Sequence, residues 1–273
     1  MNHEELLREI LQVARNGSLT LRLSGKELTS LPPEINQLKN LRSLDLSDNQ
    51  LNHLPAEIGQ LTNLESLKLG RNHLSNLPGE IGQLVHLESL ELTDNHLINL
   101  PGEIGQLKNL RILILSRNHL LTLPPEIGQL LNLQFLSLLG NHLPNLPAEI
   151  GNLKTLQSLF LSFNQLSTLP PEIGQLVHLK LLDLSFNQLA SLPGEMGQLG
   201  SLRSLDLRNN NLEEIPVTFG QLRLTNLTFG HNPWRNLPPE IRRGGVKAIL
   251  NFYRQQLSFH ASTPYSKGFG AIG

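Results

Sequence analysis

Four histidines are the residues whose type and spacing come nearest to a metal site. They recur every 23 residues, each directly after an asparagine: His73, His96, His119 and His142. Zinc takes three or four protein ligands at about 2.0–2.1 Å. If each histidine belongs to one strand of a parallel sheet, the first and third lie about 9.6 Å apart. We therefore expect a solvated histidine edge and no metal; a metal-binding or pH-sensing edge is the alternative.

The sequence carries no recognisable catalytic constellation. No cysteine occurs among the 273 residues, which excludes thiol nucleophiles, thiolate metal sites and disulfides. The motifs G-x-S-x-G and H-E-x-x-H are absent, and Gly25-Lys26 continues with Glu27 and lacks the preceding glycine of a phosphate-binding loop. We predict that the chain is not an enzyme and takes no cofactor.

A 23-residue repeat must position these side chains. From Leu41 it reads L-x-x-L-x-L-x-x-N-x-L-x-x-L-P-x-x-I-x-x-L-x-x. Such a period is typical of a solenoid, in which each copy buries its apolar face against the next. Leu44 and Leu46 point to one side of a strand and Asp45 to the other. The proline and Ile58 suit a short helical or 3-10 segment. Each repeat is thus predicted to be a strand, a turn and a short helix.

One polar position recurs inside the leucine pattern. A buried polar group without partners costs about 1–3 kcal/mol, so the amide is expected to hydrogen-bond to backbone groups of its own and adjacent loops. This predicts a structural ladder of Asn49, Asn72, Asn95, Asn118, Asn141, Asn164, Asn187, Asn210 and Asn232.

The outward-pointing strand residues are free to bind. At the position between the paired leucines, Arg22, Asp45, Lys68 and Glu91 alternate in sign, and lateral ion pairs that keep the surface soluble are the plain interpretation. The middle repeats are apolar instead, and a contiguous exposed apolar patch usually marks an interaction site.

The predicted partner-binding residues are therefore Ile112, Ile114, Phe135, Leu139, Phe160, Phe163, Leu181 and Phe186, with Lys68, Glu91, Asp183 and Asp206 as polar flanks. For Phe163 and Phe186, packing over the neighbouring turn is the alternative. For the patch as a whole, the alternatives are incidental drift and self-association.

Together the repeats resemble the leucine-rich repeat family, in its 23-residue intracellular subtype with LPxEIGxL. The resemblance implies an α/β solenoid shaped as a horseshoe. A parallel sheet would form the concave face, short helical or 3-10 segments the convex face, and helices would cap both ends. The resemblance also implies protein binding. The flanks, LRLSGKELTSLPPEI and GGVKAILNFYRQQL, look like those of this region in bacterial Roco-type proteins, in which a GTPase follows.

The expected organisation follows from where the period starts and stops. Residues 1–17 form an N-terminal capping helix, residues 18–243 ten repeats, residues 244–257 a C-terminal capping helix and residues 258–273 a flexible tail.

Composition narrows the partner class. The net charge of −1 and pI near 6.8 give no general attraction to nucleic acid, and no apolar run is long enough to span a membrane. The start, MNHEELLREI, lacks the basic-then-apolar layout of a signal peptide. Cytoplasmic location is expected, and the Roco-like flanks favour a bacterial source.

We therefore predict a non-enzymatic module that binds another protein through an apolar patch on the concave face. The alternative is a regulatory or dimerising arm of a Roco-like GTPase whose catalytic domain lies outside this chain. Self-association through the patch is left open.

Overall fold

One parallel sheet, with its strands in chain order, runs the length of the solenoid. The computed structural model describes residues 1–262, and within them the sheet has ten strands. These are β1 (Thr20–Arg22), β2 (Ser43–Asp45), β3 (Ser66–Lys68), β4 (Ser89–Glu91), β5 (Ile112–Ile114), β6 (Phe135–Ser137), β7 (Ser158–Phe160), β8 (Leu181–Asp183), β9 (Ser204–Asp206) and β10 (Asn226–Thr228). Equivalent residues of neighbouring repeats pair, so Leu21, Leu44 and Leu67 stand side by side.

Each connection between consecutive strands contains one short 3-10 helix, which lies on the opposite side of the core from the sheet. The described chain contains nine: Pro33–Gln37, Ala56–Gln60, Gly79–Gln83, Gly102–Gln106, Pro125–Gln129, Ala148–Asn152, Pro171–Gln175, Gly194–Gln198 and Val217–Gln221. A proline in extended conformation precedes each one, and most carry a glutamate in the first turn, where the positive end of the helix dipole favours it. Leucines from the strands and Ile, Met or Phe from these helices share one continuous core.

The ladder asparagines lie in that core and join consecutive repeats. Asn141 accepts a hydrogen bond at Oδ1 from the amide of Leu120 at 3.0 Å. Its Nδ2 donates to the carbonyl of Leu115 in the preceding repeat and to that of Leu138 in its own, both at 3.0 Å. Asn49 to Asn210 are all buried, and Asn232 in the last repeat is half-buried. Each amide therefore satisfies backbone groups of two loops, and carbonyls such as that of Leu115 accept from two successive ladder residues.

Helix α1 (His3–Asn16) covers the first repeat. Asn2 and Glu5 form a capping box, each side chain accepting from the other's backbone amide at 2.9 Å. Leu6 and Ile10 are buried against the first repeat's leucines. Gly17 then ends the helix in the left-handed conformation.

Helices α2 (Pro239–Arg243) and α3 (Gly245–Ser262) cover the other end. In α3, Tyr253 is buried, and the guanidinium of Arg254 donates to the carbonyls of Gly220 and Leu222. The helix continues five residues beyond the end expected at residue 257. No Gly or Pro interrupts that stretch before Pro264. The rest of the expected tail, 263–273, lies outside the described residues.

Candidate functional site

The predicted apolar patch lies on the outer face of the sheet, by which we mean the side opposite the leucine core. Leu136, the middle residue of β6, is fully buried, so Phe135 and Ser137 on either side of it point outward. The same alternation places Ile112, Ile114, Phe160 and Leu181 on the outer face, and Leu139 follows β6.

Contacts between neighbouring strands give the patch a defined surface. The rings of Phe135 and Phe160 lie with centroids 5.3 Å apart at 41°, a tilted contact across β6 and β7. Such pairs contribute about 0.5–1.5 kcal/mol. Ile112 is 39% exposed, whereas the other members are half-buried by their neighbours. The patch is thus a partly supported apolar surface whose outer area remains open.

Phe163 and Phe186 stand just past the ends of β7 and β8, and they pack on each other. Their rings stack with centroids 4.2 Å apart and planes within 8°, yet they remain 54% and 38% exposed. Both residues have positive φ, 56° and 54°. A bulky side chain in this left-handed region costs on the order of 1–3 kcal/mol. The stack, worth about 0.5–1.5 kcal/mol, and the buried part of each ring act against this cost.

These phenylalanines belong to a set that we call the left-handed column, the residue before each ladder position. It comprises Gly25, Asp48, Arg71, Asp94, Arg117, Gly140, Phe163, Phe186, Asn209 and His231, all with positive φ. Asp48 pairs with Arg71 at 3.1 Å and Asp94 with Arg117 at 3.7 Å. This column was not predicted from the sequence. The recurrence of Gly, Asp and Asn before the ladder asparagine was the available signal, because these types tolerate positive φ best.

The lateral ion pairs predicted along the outer face do not form. None of the six ion pairs within residues 1–262 joins the alternating charges of β1 to β4. Instead Asp45 accepts from the amide and hydroxyl of Ser47, and Glu91 accepts from the amide of Thr93. Lys68 between them is exposed. These local hydrogen bonds occupy one oxygen of each carboxylate.

Asp183 and Asp206 place two carboxylates beside the aromatic part of the patch. Strand register sets Asp183 directly between Phe160 on β7 and Asp206 on β9. Asp206 forms an ion pair with Arg208 at 3.0 Å. Asp183 forms none with any residue in 1–262, and its Oδ1 accepts from the amide and hydroxyl of Ser185. Its Oδ2 therefore faces this surface without a cation.

The histidines form a stacked column. Successive rings from His73 to His142 lie 5.5–5.6 Å apart and within 6° of parallel. Parallel rings at this spacing do not converge on one point, and no group of three or more potential ligands able to hold a metal occurs in the described part of the chain. His142 also contacts Nε2 of Gln165 at 3.4 Å, which continues the column.

This architecture and its outer face define a class: an open repeat solenoid of the kind that binds other proteins. Models described as leucine rich repeat match residues 19–74, 39–97 and 177–233. A two-copy repeat model matches 154–194 and a single-repeat model 109–130. The chain belongs to the leucine-rich repeat family, whose members are generally non-enzymatic protein-binding modules. None of the helices within residues 1–262 is long and apolar enough to cross a bilayer.

Solved structures of known proteins show the same fold. A leucine-rich repeat protein of Leptospira interrogans, LIC12759, is 38% identical over 85% of this chain and 72% of that one, with a TM-score of 0.69. The Arabidopsis thaliana GASSHO1/SCHENGEN3 ectodomain, in complex with CASPARIAN STRIP INTEGRITY FACTOR 2, is 35% identical over 78% of this chain, with a TM-score of 0.63. The plant peptide hormone receptor RGFR1, in complex with RGF2, is 31% identical over 78% of this chain, with a TM-score of 0.63.

This chain spans only 30% and 39% of those two receptor chains. Comparison with curated protein sequences gives no match.

Proposed function

We propose that this protein is a non-enzymatic interaction module that binds a partner protein through the apolar patch on the outer face of its sheet, the concave face of the horseshoe. The patch itself carries the proposal. Apart from the patch members Ile112, Ile114 and Leu181, the positions equivalent to Phe135 and Phe160 carry Ser, Thr, Asn, Asp, Glu, Lys or Arg. Binding then gains from covering the two rings, at roughly 25 cal/mol per Å² of apolar area removed from water.

The relatives support this use of the fold. The GASSHO1/SCHENGEN3 ectodomain was solved in complex with CASPARIAN STRIP INTEGRITY FACTOR 2, and the receptor RGFR1 in complex with RGF2. Their identity to this chain exceeds 30%, which supports protein binding in general and does not identify a partner.

We further propose that the module acts in a bacterial cytoplasm. Two observations support this location. The sequence has no cysteine and so no disulfides of the kind that stabilise many secreted proteins, and one similar structure is bacterial. Fractionation of the source cells with an antibody against the chain tests the location. Recovery in a secreted fraction would contradict it.

The test of binding removes the rings without straining the fold. In the double variant Phe135→Ser with Phe160→Ser, both positions receive a residue type that other repeats already carry there. Ser137, for example, occupies the position equivalent to Phe160. We expect a loss of about 1–2 kcal/mol in the free energy of unfolding, because both rings are half-buried. Partner capture from a lysate of the source organism should fall about tenfold or more.

Asp45→Ser is the matched control, since Asp45 occupies the same position as Phe160 on the distant strand β2. Capture by the control should equal that of wild type. Analytical ultracentrifugation of each variant shows whether the partner is a second copy of this chain. Undiminished capture by the double variant, with a folded circular-dichroism spectrum, would mean that the partner binds elsewhere.

A further inference from the structure

The stacked pair Phe163 and Phe186 extends the patch beyond the sheet. At these two positions of the left-handed column, phenylalanine rings stand where the other repeats carry glycine or a polar or charged residue. The rings lie on each other, and about half of Phe163 and over a third of Phe186 stay exposed. Their exposed faces are therefore available to another molecule, beside the patch on the sheet.

The charge beside these rings selects the kind of group that can be bound. Asp183 has no ion pair within residues 1–262, and Asp206 stands next to it on β9. Of these two adjacent carboxylates only that of Asp206 is paired, with Arg208, so the carboxylate of Asp183 keeps its negative charge available at this end of the patch. A lysine or arginine satisfies Asp183, and aromatic faces nearby favour the same cations.

The spacing across the strands sets the arrangement of the bound groups. Phe135, Phe160 and Asp183 lie on β6, β7 and β8 in turn. Strands are about 4.8 Å apart, so a group seated between the two rings is about 7 Å from the carboxylate, measured across the strands. In an extended chain, side chains two residues apart point the same way and are separated by about 6.8 Å. The two distances are similar. Phe135 pairs with Ser158 and Phe160 with Ser137, so Phe135 lies two residues before Phe160 along the strand direction and the bound segment crosses the sheet obliquely.

We propose that this surface binds an extended segment of a partner protein that presents a lysine or arginine to Asp183 and, two residues away, an apolar side chain to Phe135 and Phe160. The segment continues over Phe163 and Phe186. The inference rests on the proposed function, because it names the chemistry of the partner bound at the same patch.

Random peptides displayed on phage and selected on the immobilised full chain test it. Enriched peptides should carry a basic and an apolar residue two positions apart, in either order. Synthetic copies should bind Asp183→Asn about tenfold more weakly than wild type. Their binding should also weaken with added salt. Asp45→Asn is the matched control, because Asp45 accepts the same amide and hydroxyl bonds from Ser47 that Asp183 accepts from Ser185.

A second variant separates binding from folding. Phe163→Asn introduces the residue that the column already carries at Asn209. We expect the synthetic peptides to bind it about fivefold more weakly or worse. Its melting temperature should stay within about 2 °C of wild type, since asparagine tolerates positive φ. A lower melting temperature with unchanged binding would assign the rings a purely structural role and overturn this part of the inference.

The remaining outcomes separate this inference from the proposed function. Enriched peptides without a basic residue, bound equally by Asp183→Asn, overturn the inference. If those peptides also lose binding to the Phe135→Ser and Phe160→Ser double variant, the proposed function stands. If they bind that variant normally, the patch is not the binding surface and both fail. No enrichment at all overturns the extended segment, while capture of a folded partner still decides the proposed function.

Discussion

Some single residues of this protein stabilise the solenoid, whereas others are less favourable for the fold and are available for binding. In the left-handed column, Gly140 and Asn209 fit the backbone, and Arg71 or Arg117 adds an exposed ion pair worth about 0–1 kcal/mol. Phe163 gives neither benefit in full. The column therefore shows, residue by residue, where the repeat departs from the type that its own backbone favours.

Tyr253 is a single residue that makes stability depend on pH. Burial, followed by the charge of Glu214, raises the pKa of its phenol to about 12, although the hydroxyl's bond to Asn236 acts the other way. The unfolded chain loses this proton near pH 10, before the folded chain does. The stabilising contribution is thus complete below about pH 10 and is lost as the pH rises toward 12.

We expect the free energy of unfolding to fall by roughly 2–3 kcal/mol across that window, and urea unfolding at a series of alkaline pH values measures it. Tyr253→Phe should be less stable at neutral pH and should lack this alkaline decline. A decline of equal size in the variant would show that other groups cause it.

At the scale of the element, a glycine at the fourth position of eight of the nine described 3-10 helices sets how closely neighbouring repeats approach; the first helix has Asn36 there. A Cβ added to Gly151 would lie 2.6 Å from the carbonyl oxygen of Glu172 in the next repeat. The same clash with the next repeat's backbone occurs at Gly59, Gly82, Gly105, Gly128, Gly174 and Gly197. Glycine at these positions allows close packing of one helix on the next, because it has no Cβ.

Gly151→Ala tests this packing. The added methyl must push two helices apart, and we expect a loss of about 1–3 kcal/mol in the free energy of unfolding. Gly194→Ala is the matched control: it also lies in a 3-10 helix, but its added Cβ meets only the hydroxyl of Thr218 at 4.0 Å. Thermal or urea unfolding of both variants measures the difference. Equal stability of the two would mean that the helices can separate without loss.

Across the whole molecule, the period predicts the sheet well and the surface less well. Ten parallel strands with 3-10 helices follow from the leucine spacing, because the leucines of every repeat must be buried in the same core. The left-handed column and the hydrogen bonds of Asp45 and Glu91 depend on backbone dihedrals and on short local contacts. The alternation of charges in the sequence does not reveal these dihedrals or hydrogen bonds. The prediction of lateral ion pairs between β1 and β4 was therefore wrong.

Stability along the solenoid should be local, since each repeat contacts only its neighbours. Leu6 and Ile10 of α1 are buried on the first repeat, far along the chain from the patch on β5 to β8. Leu6→Asp with Ile10→Asp would bury two unpaired carboxylates, so α1 should detach rather than accept them. We expect hydrogen exchange to accelerate in β1 and β2, while the amides of β5 to β8 keep their protection.

Because the patch is distant from this end, the same double variant should still bind the peptides and partner that wild type binds. Leu11→Asp with Arg15→Asp, at less buried positions of the same helix, is the control and should leave β1 protected. Faster exchange throughout the sheet would show that the repeats unfold as one cooperative unit. Unchanged exchange in β1 would mean that α1 does not protect the open end of the core.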